Sequence, residues 1–375
     1  MEIAYKTMKI GIVTYHRTLN YGAVMQSLAT RFILEEMGHK AYYVDYWPDY
    51  HRKHYEYFSF RVFLISCLKL NVISYLKLCI RKKRRFDNFE CFFEKFIYPY
   101  CRPVEDSYDA VIYGSDQIWR KQSALKTYNT FYFGDNKINT QHHISYAASM
   151  GILPDNDADK AKVKELVSHI EKISVREDDL RQLLLSLGYA NVSLSLDPTL
   201  LLSSEEWDRH IPTTSCKTKK YALLYVIKTN AFDMREVKRF TDSKGLKLIV
   251  LNGYATTKES DTNLTTVDPS EFIRLIKNAE YIFSCSFHGL AFSIIYKKQF
   301  FASFVKNSGR AESLLNLVGV PQRLLPPHVA IPQDIGTIDY VDVHNRLAAA
   351  KQESLKYLSD IHIQGLSPNI KKLYN

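Results

Sequence analysis

Apolar and polar positions along the chain fall into two alternating registers. Short apolar runs rich in β-branched and aromatic residues are followed by longer segments with apolar positions every three or four residues. In the first half, strands are predicted at residues 9–15, 41–45, 109–113, 144–151, 172–177 and 192–196. Helices are predicted at 23–37, through Val24, Leu28, Phe32 and Leu34 and closed by Gly38, and at 160–172 and 178–187. The second half repeats the pattern, with strands at 221–227, 246–251, 264–267, 281–284 and 300–304. Its helices are predicted at 233–244, 269–278, 290–297, 310–317 and 341–358. Asp268 and Pro269 form a good N-cap and first-turn pair for one of them. Alternation of this kind predicts parallel α/β sheets. The expected fold is two Rossmann-like parallel-sheet domains facing a cleft, a GT-B-like arrangement. The first covers residues 1–210, a polar linker 211–220, the second 221–340, and a helical segment 341–375.

One stretch breaks the pattern. Residues 55–100 are aromatic, leucine-rich and basic, ending an apolar part in Arg81-Lys82-Lys83-Arg84-Arg85. Its uncharged runs are far shorter than the ~20 residues that a membrane-crossing helix needs. A helical insertion packed on the first domain is one reading. Peripheral contact with an anionic membrane surface through residues about 57–85 is the other.

Composition narrows the classes further. The chain has 375 residues, 46% hydrophobic and 24% charged, enough for two ordinary domains. Its 50 basic and 40 acidic residues leave a charge of +10, which suits anionic ligands or surfaces. No zinc-finger spacing or RNA-binding signature accompanies that charge, so nucleic acid is not expected. Cys67, Cys79, Cys91, Cys101, Cys216 and Cys285 form no CxxC pair, which reads as a reduced cytoplasmic setting. Residues 1–9 have no apolar core of signal-peptide type. There is no GxGxxG, P-loop, GxSxG or metal-ligand motif, and neither a resident metal nor a cofactor is expected.

The candidate chemistry collects where strands end, since ligands of open parallel sheets bind outside the carboxyl ends of strands. His288 lies at the turn between the strand 281–284 and the apolar helix after it, beside Gly289. A histidine there can hold or move a proton or bind an anion at a helix N-terminus, or it simply caps the turn. Asp116 follows the strand 109–113, placed to orient or deprotonate a hydroxyl, or to cap. Arg176 ends another strand with a planar fork suited to a carboxylate or phosphate; pairing with Glu177 or Asp178 is its structural alternative. Arg310 precedes a helix and reads more readily as a surface arginine. Near the first strand, Asn20, Tyr21, Gly22 and Gln26 offer neutral hydrogen-bonding groups, or ordinary turn chemistry.

Five stretches in order resemble the polysaccharide pyruvyl transferase family: Asn20-Tyr21-Gly22-Ala23-Val24-Met25-Gln26, Gly114-Ser115-Asp116-Gln117-Ile118-Trp119, Ser174-Val175-Arg176-Glu177, Asp197-Pro198-Thr199-Leu200-Leu201 and Ser286-Phe287-His288-Gly289. The resemblance implies transfer of the enolpyruvyl group of phosphoenolpyruvate onto two hydroxyls of a sugar, forming a ketal and releasing phosphate. It implies a bacterial surface polysaccharide or its lipid-linked precursor as acceptor, at the inner face of the cytoplasmic membrane. It also implies a C-terminal helix crossing back to the first domain. On this reading His288 is general acid or phosphate ligand, and Asp116 activates the acceptor. Arg176, His288, Gly289 and Arg310 bind the donor, while Asn20, Tyr21, Gly22 and Gln26 line the acceptor side. Many relatives carry a basic residue before the aromatic–histidine pair, where this chain has Ser286. Two other classes stay open: a glycosyltransferase using a nucleotide sugar, and a non-catalytic membrane-associated protein of a glycan pathway.

Overall fold

The computed structural model describes residues 7–54, 56, 58–68, 71–135, 137–213, 220–227, 229–253, 255–306 and 308–361. Most of the expected linker, residues 214–219, lies outside them, as do Cys216 and Asn307.

Strand β1 (Lys9–Val13) leads into helix α1 (Tyr21–Glu36) and strand β2 (Lys40–Val44). The two strands are parallel, with Ile10 opposite Ala41. Asn20 caps α1 by accepting from the Gly22 N–H at 3.1 Å, so Tyr21 and Gly22 open the helix instead of forming a separate turn. Three helices follow: α2 (Asp49–His54), α3 (Phe60–Leu68) and the long α4 (Val72–Phe96). Then come β3 (Cys101–Arg102), β4 (Ala110–Tyr113) and β5 (His143–Ser145). The first sheet is wholly parallel, in the order β3-β2-β1-β4-β5.

The expected strand 144–151 stops at Ser145. Ala147 takes a left-handed φ of 46°, and the chain leaves the sheet to bridge β6 (Ile173–Val175) through Ala148. Helix α5 (Asp157–Val167), capped by Asn156, starts earlier and ends earlier than the expected 160–172. Helix α6 (Asp178–Ser186) connects β6 to its parallel neighbour β7 (Val192–Leu194). Helix α7 (Ser204–His210) was not anticipated, although its capping box is plain: Ser203 and Glu206 each satisfy the other's backbone N–H.

The second sheet repeats the first. It comprises β8 (Tyr221–Val226), β9 (Lys247–Asn252), β10 (Thr262–Leu264), β11 (Tyr281–Ser284) and β12 (Gln299–Ala302), parallel in the order β10-β9-β8-β11-β12. Strand β10 lies N-terminal to the expected 264–267. Its helices are α8 (Met234–Ser243), α9 (Pro269–Asn278), α10 (Phe287–Ile295) and α11 (Gly309–Leu317).

Helix α12 (Tyr340–Ser359) joins the halves. At its start the Tyr340 hydroxyl donates to Ser293 O at 3.2 Å. Near its end Ser354 Oγ accepts from the Leu196 N–H (2.9 Å), and the Tyr357 hydroxyl donates to Ser145 O (2.9 Å). The helix thus crosses back from the second sheet to the first. One hydrophobic core runs through both, from Ile10 and Leu28 to Leu290, Phe292 and Leu358, while Trp119 and Phe240 belong to separate cores on the outer faces. The five described cysteines are free.

Candidate active site

In each sheet the strand order reverses direction between two central strands, β1/β4 in the first and β8/β11 in the second. Loops leaving such neighbours diverge and leave a crevice at their carboxyl ends. The two crevices face each other around one cavity of about 410 Å³. Tyr15 reaches it from β1, Asp116 and Gln117 from β4, Tyr225 and Val226 from β8, and Cys285, Ser286, Phe287 and His288 from β11. Its charged lining is strongly one-sided: Arg85, Arg120, Lys306 and Arg310 against Asp116 alone.

His288 sits in the first turn of α10, only 6% exposed. Its Nε2 is 3.4 Å from Asp197 Oδ2, close enough for charge attraction but not aligned as a hydrogen bond. Nδ1 lies against Gly22 of the other sheet's helix α1: a Cβ built on Gly22 would stand 2.0 Å from it. Gly22 therefore does not line the cleft; it makes room for the imidazole that does. Gly289 has a similar task, since a Cβ there would meet Ser284 Oγ at 2.3 Å and Tyr225 Cδ1 at 2.7 Å.

Behind His288 lies a buried ionic cluster. Asp197 is 1% exposed; its Oδ1 accepts from the Thr199 N–H (3.0 Å) and hydroxyl (2.7 Å). Its Oδ2 accepts from Arg176 Nη1 and from Ser115 Oγ (3.3 Å). Burial alone would raise the Asp197 pKa, but the charges of His288 and Arg176 and the Thr199 hydrogen bonds override it and hold the carboxyl well below its usual range. Arg176 also approaches Glu177 Oε1 through Nε (3.4 Å) and Asp116 Oδ1 through Nη2 (3.7 Å), and stacks on the Phe287 ring at 5.1 Å. The fork expected to clamp a ligand is thus committed to three carboxylates, and Arg176 stands one layer behind the cleft wall.

Arg310 is not the exposed surface arginine its position suggested. Its side chain is 18% exposed, lies 5.6 Å from the centre of the Phe287 ring, and pairs with Glu177 at 3.7 Å. Burial and then the Arg176 charge lower its pKa, against the pull of Glu177 and two aspartates. Glu177, fixed by the Ser149 hydroxyl at 2.6 Å, is shifted the other way: burial raises it, while Arg176 and Arg310 oppose. Asp116 lines the cavity, adopts a left-handed φ of 70°, and accepts from the Gln117 N–H through Oδ1 at 2.8 Å.

The residues expected on the acceptor side divide. Asn20 and Tyr21 line the cleft, but the Tyr21 hydroxyl is spent on Val267 O (2.9 Å) across the two halves, with its ring stacked on Phe272. Gln26 is fully buried; its Nε2 donates to Thr14 Oγ1 (2.9 Å) and Ala23 O (2.8 Å), so it does not reach the cleft. In its place come residues that sequence reasoning missed. Tyr15 donates its hydroxyl to Gln117 O at 3.2 Å, with its pKa raised by burial and then by Tyr50 and Asp116. Arg85 comes from the insertion: Nη2 donates to Leu19 O (2.6 Å), and a Cβ on Gly253 would strike Nη1 at 1.7 Å.

Among the described residues, one group has metal-ligand atoms within 4.8 Å of one another: His16, Asp45 and Cys101. None lines the cleft. Asp45 is already paired with Arg17 Nη1 at 2.6 Å, and burial, then the Asp45 charge, push the Cys101 thiol up to about 12.

The family model described as polysaccharide pyruvyl transferase matches residues 20–303. No curated protein matches the chain in sequence. Among solved structures, the chain is similar in trace to a UDP-N-acetylglucosamine 2-epimerase from Rickettsia bellii (12% identity, 94% of this chain and 96% of that one, TM-score 0.43). It is similar too to the E. coli heptosyltransferase WaaC with ADP (11% identity, 92% and 100% covered, TM-score 0.33) and to Medicago truncatula UGT71G1 complexed with UDP-glucose (11% identity, 97% and 96% covered, TM-score 0.37).

Proposed function

The chain belongs to the polysaccharide pyruvyl transferase family, and from that premise we propose that its cleft takes phosphoenolpyruvate as donor and builds a pyruvate ketal on two hydroxyls of a sugar. The observation that supports this most is the charge of the cleft wall, four arginines and lysines against one aspartate. Phosphoenolpyruvate carries both a phosphate and a carboxylate, and planar guanidinium groups engage such anions by paired hydrogen bonds.

On this reading Arg310, Lys306 and the α10 N-terminus hold the donor's anionic ends. His288, which lines the cleft, in its protonated form gives a proton to the methylene carbon. The double bond's electron pair forms the new C–H bond, and positive charge develops at the central carbon. The first sugar hydroxyl adds there, losing its proton to Asp116. The carbon–oxygen bond to phosphate breaks, and the second hydroxyl closes the ketal. One of the two hydroxyl protons replaces that given by His288, and the other leaves with phosphate. Asp197 acts as a positioning residue: its ionised carboxylate complements the imidazolium and fixes the ring against Gly22. Arg176 places its positive charge among the buried carboxylates of Asp197, Glu177 and Asp116.

The reading is tested by titrating the protein calorimetrically with phosphoenolpyruvate and with nucleotide sugars. Phosphoenolpyruvate binding that is lost in Arg310→Ala supports pyruvyl transfer. Binding of a nucleotide sugar alone moves the assignment to glycosyl transfer.

A further inference from the structure

Among the described residues, no helix is long and apolar enough to cross a membrane. Yet the α3–α4 segment carries apolar surface that the rest of the described protein leaves uncovered. Of fifteen large apolar residues that are exposed among the described residues, eight fall between residues 58 and 80: Phe58, Phe60, Val62, Leu64, Ile65, Ile73, Leu76 and Ile80. Scattered apolar residues are normal on a protein surface, but this concentration in one helical pair is not. On α4, Ile73, Leu76 and Ile80 fall at a spacing of three and then four, one continuous stripe, and Ile73 is 71% exposed.

The segment has its own internal order. The Tyr75 hydroxyl donates to Ser59 O (2.9 Å) and accepts from the Ser59 N–H (2.8 Å), while the Phe58 and Phe63 rings pack on Tyr75. These contacts tie α3 to α4 and turn the remaining aliphatic side chains outward.

Charge identifies the occupant. From residue 58 to residue 86 there is no aspartate or glutamate, but Arg61, Lys69, Lys77 and the run Arg81–Arg85. In the turn after Ile80, Lys82, Lys83 and Arg84 are exposed, Lys83 being paired with Asp87 Oδ2 at 2.7 Å. An apolar helical face bordered by cations and free of acids fits an anionic lipid surface: side chains enter the acyl boundary and the cations meet the headgroups. A soluble protein partner with an apolar patch would not call for that unbroken positive charge.

We propose that the α3–α4 segment docks the protein peripherally on an anionic bilayer, an inference that stands apart from the catalytic reading. The placement also orients the cleft. Five residues beyond Ile80 on the same helix, Arg85 turns inward to line the cavity. That is about 7.5 Å along the helix axis, so docking holds the cleft close to the lipid headgroups.

The test uses the full chain and sedimentation with phosphatidylcholine vesicles, with or without a minority of phosphatidylglycerol, at low and high salt. The wild-type protein is expected to sediment with the anionic vesicles, less so at high salt. Ile73→Ser/Leu76→Ser/Ile80→Ser and Lys82→Glu/Lys83→Glu/Arg84→Glu are each expected to weaken vesicle binding by about tenfold or more. All six side chains are exposed, and unchanged phosphoenolpyruvate binding and thermal unfolding in both variants show that the fold is intact. The proposal is overturned if the wild type stays in the supernatant, or if both variants sediment as the wild type does. It is equally overturned if the serine variant only converts a dimer to a monomer, since the patch is then a self-association surface. Vesicle binding without phosphoenolpyruvate binding in the wild type keeps the docking surface and removes the catalytic reading.

Discussion

Gly22→Ala perturbs His288 without replacing it. The added Cβ would lie 2.0 Å from His288 Nδ1, 2.3 Å from Cγ and 2.7 Å from Cβ. Real contacts of this kind do not fall below 3.0 Å, so the ring must retreat by about 1 Å or the two halves must part. Neither is easy. His288 is fixed by its place in α10 and by Asp197, and the halves share one core and the α12 crossing. The helix-propensity gain offsets only part of the cost: alanine is a better helix former by up to ~1 kcal/mol, and overpacking costs ~1–3 kcal/mol. A misplacement of ~1 Å at a reacting group costs turnover on the order of 100-fold. The expected outcome is a thermal midpoint within a few degrees of wild type and phosphate release from phosphoenolpyruvate reduced about 100-fold, measured with hexopyranosides bearing adjacent free hydroxyls. Gly336→Ala, where the new Cβ meets nothing within 4 Å, serves as control. Wild-type turnover in Gly22→Ala would refute the assignment of chemistry to His288 in this position.

Other outcomes follow from the same geometry. His16 is buried with its pKa lowered by desolvation to about 4 from 6.5, so the unfolded chain takes up its proton first. Stability should therefore fall by roughly 3 kcal/mol between pH 6.5 and 4, and His16→Gln should flatten that slope in urea titrations. Asp197→Asn leaves Arg176 short of its main partner in a buried site, and an unfolding free energy lower by about 3–5 kcal/mol is expected. Because the Asp197 carboxyl is held below its usual range, its stabilisation is complete above about pH 4 and is lost as pH falls further; the variant should lose this acid sensitivity. Arg310→Ala should weaken phosphoenolpyruvate binding at least tenfold in calorimetry and, by taking one partner from buried Glu177, also lower the unfolding midpoint.

Much of the fold was legible because it rests on local signals. Pro269 after Asp268, Gly38 after α1 and the apolar run before Ser286 each mark an element end by backbone chemistry alone. Strand ends in turn located His288 and Asp116 on the cleft. What failed depended on tertiary partners. Gln26 looks like a ligand-binding amide until Thr14 and Ala23 claim it. Ala147 gives no sign of its left-handed turn, since bridging to β6 imposes it. Asp197 belongs to a recognisable motif, but its chemistry emerges only when Arg176 and His288 converge on it. Arg85 enters the cleft from a segment that sequence alone assigns to a surface.

Whether the cationic cleft between the sheets holds phosphoenolpyruvate is tested by direct calorimetric titration, without knowledge of the acceptor. Saturable binding of phosphoenolpyruvate by the wild type, lost in Arg310→Ala, with no heat from nucleotide sugars, is the expected outcome. Saturable binding of a nucleotide sugar, with none of phosphoenolpyruvate, would contradict it.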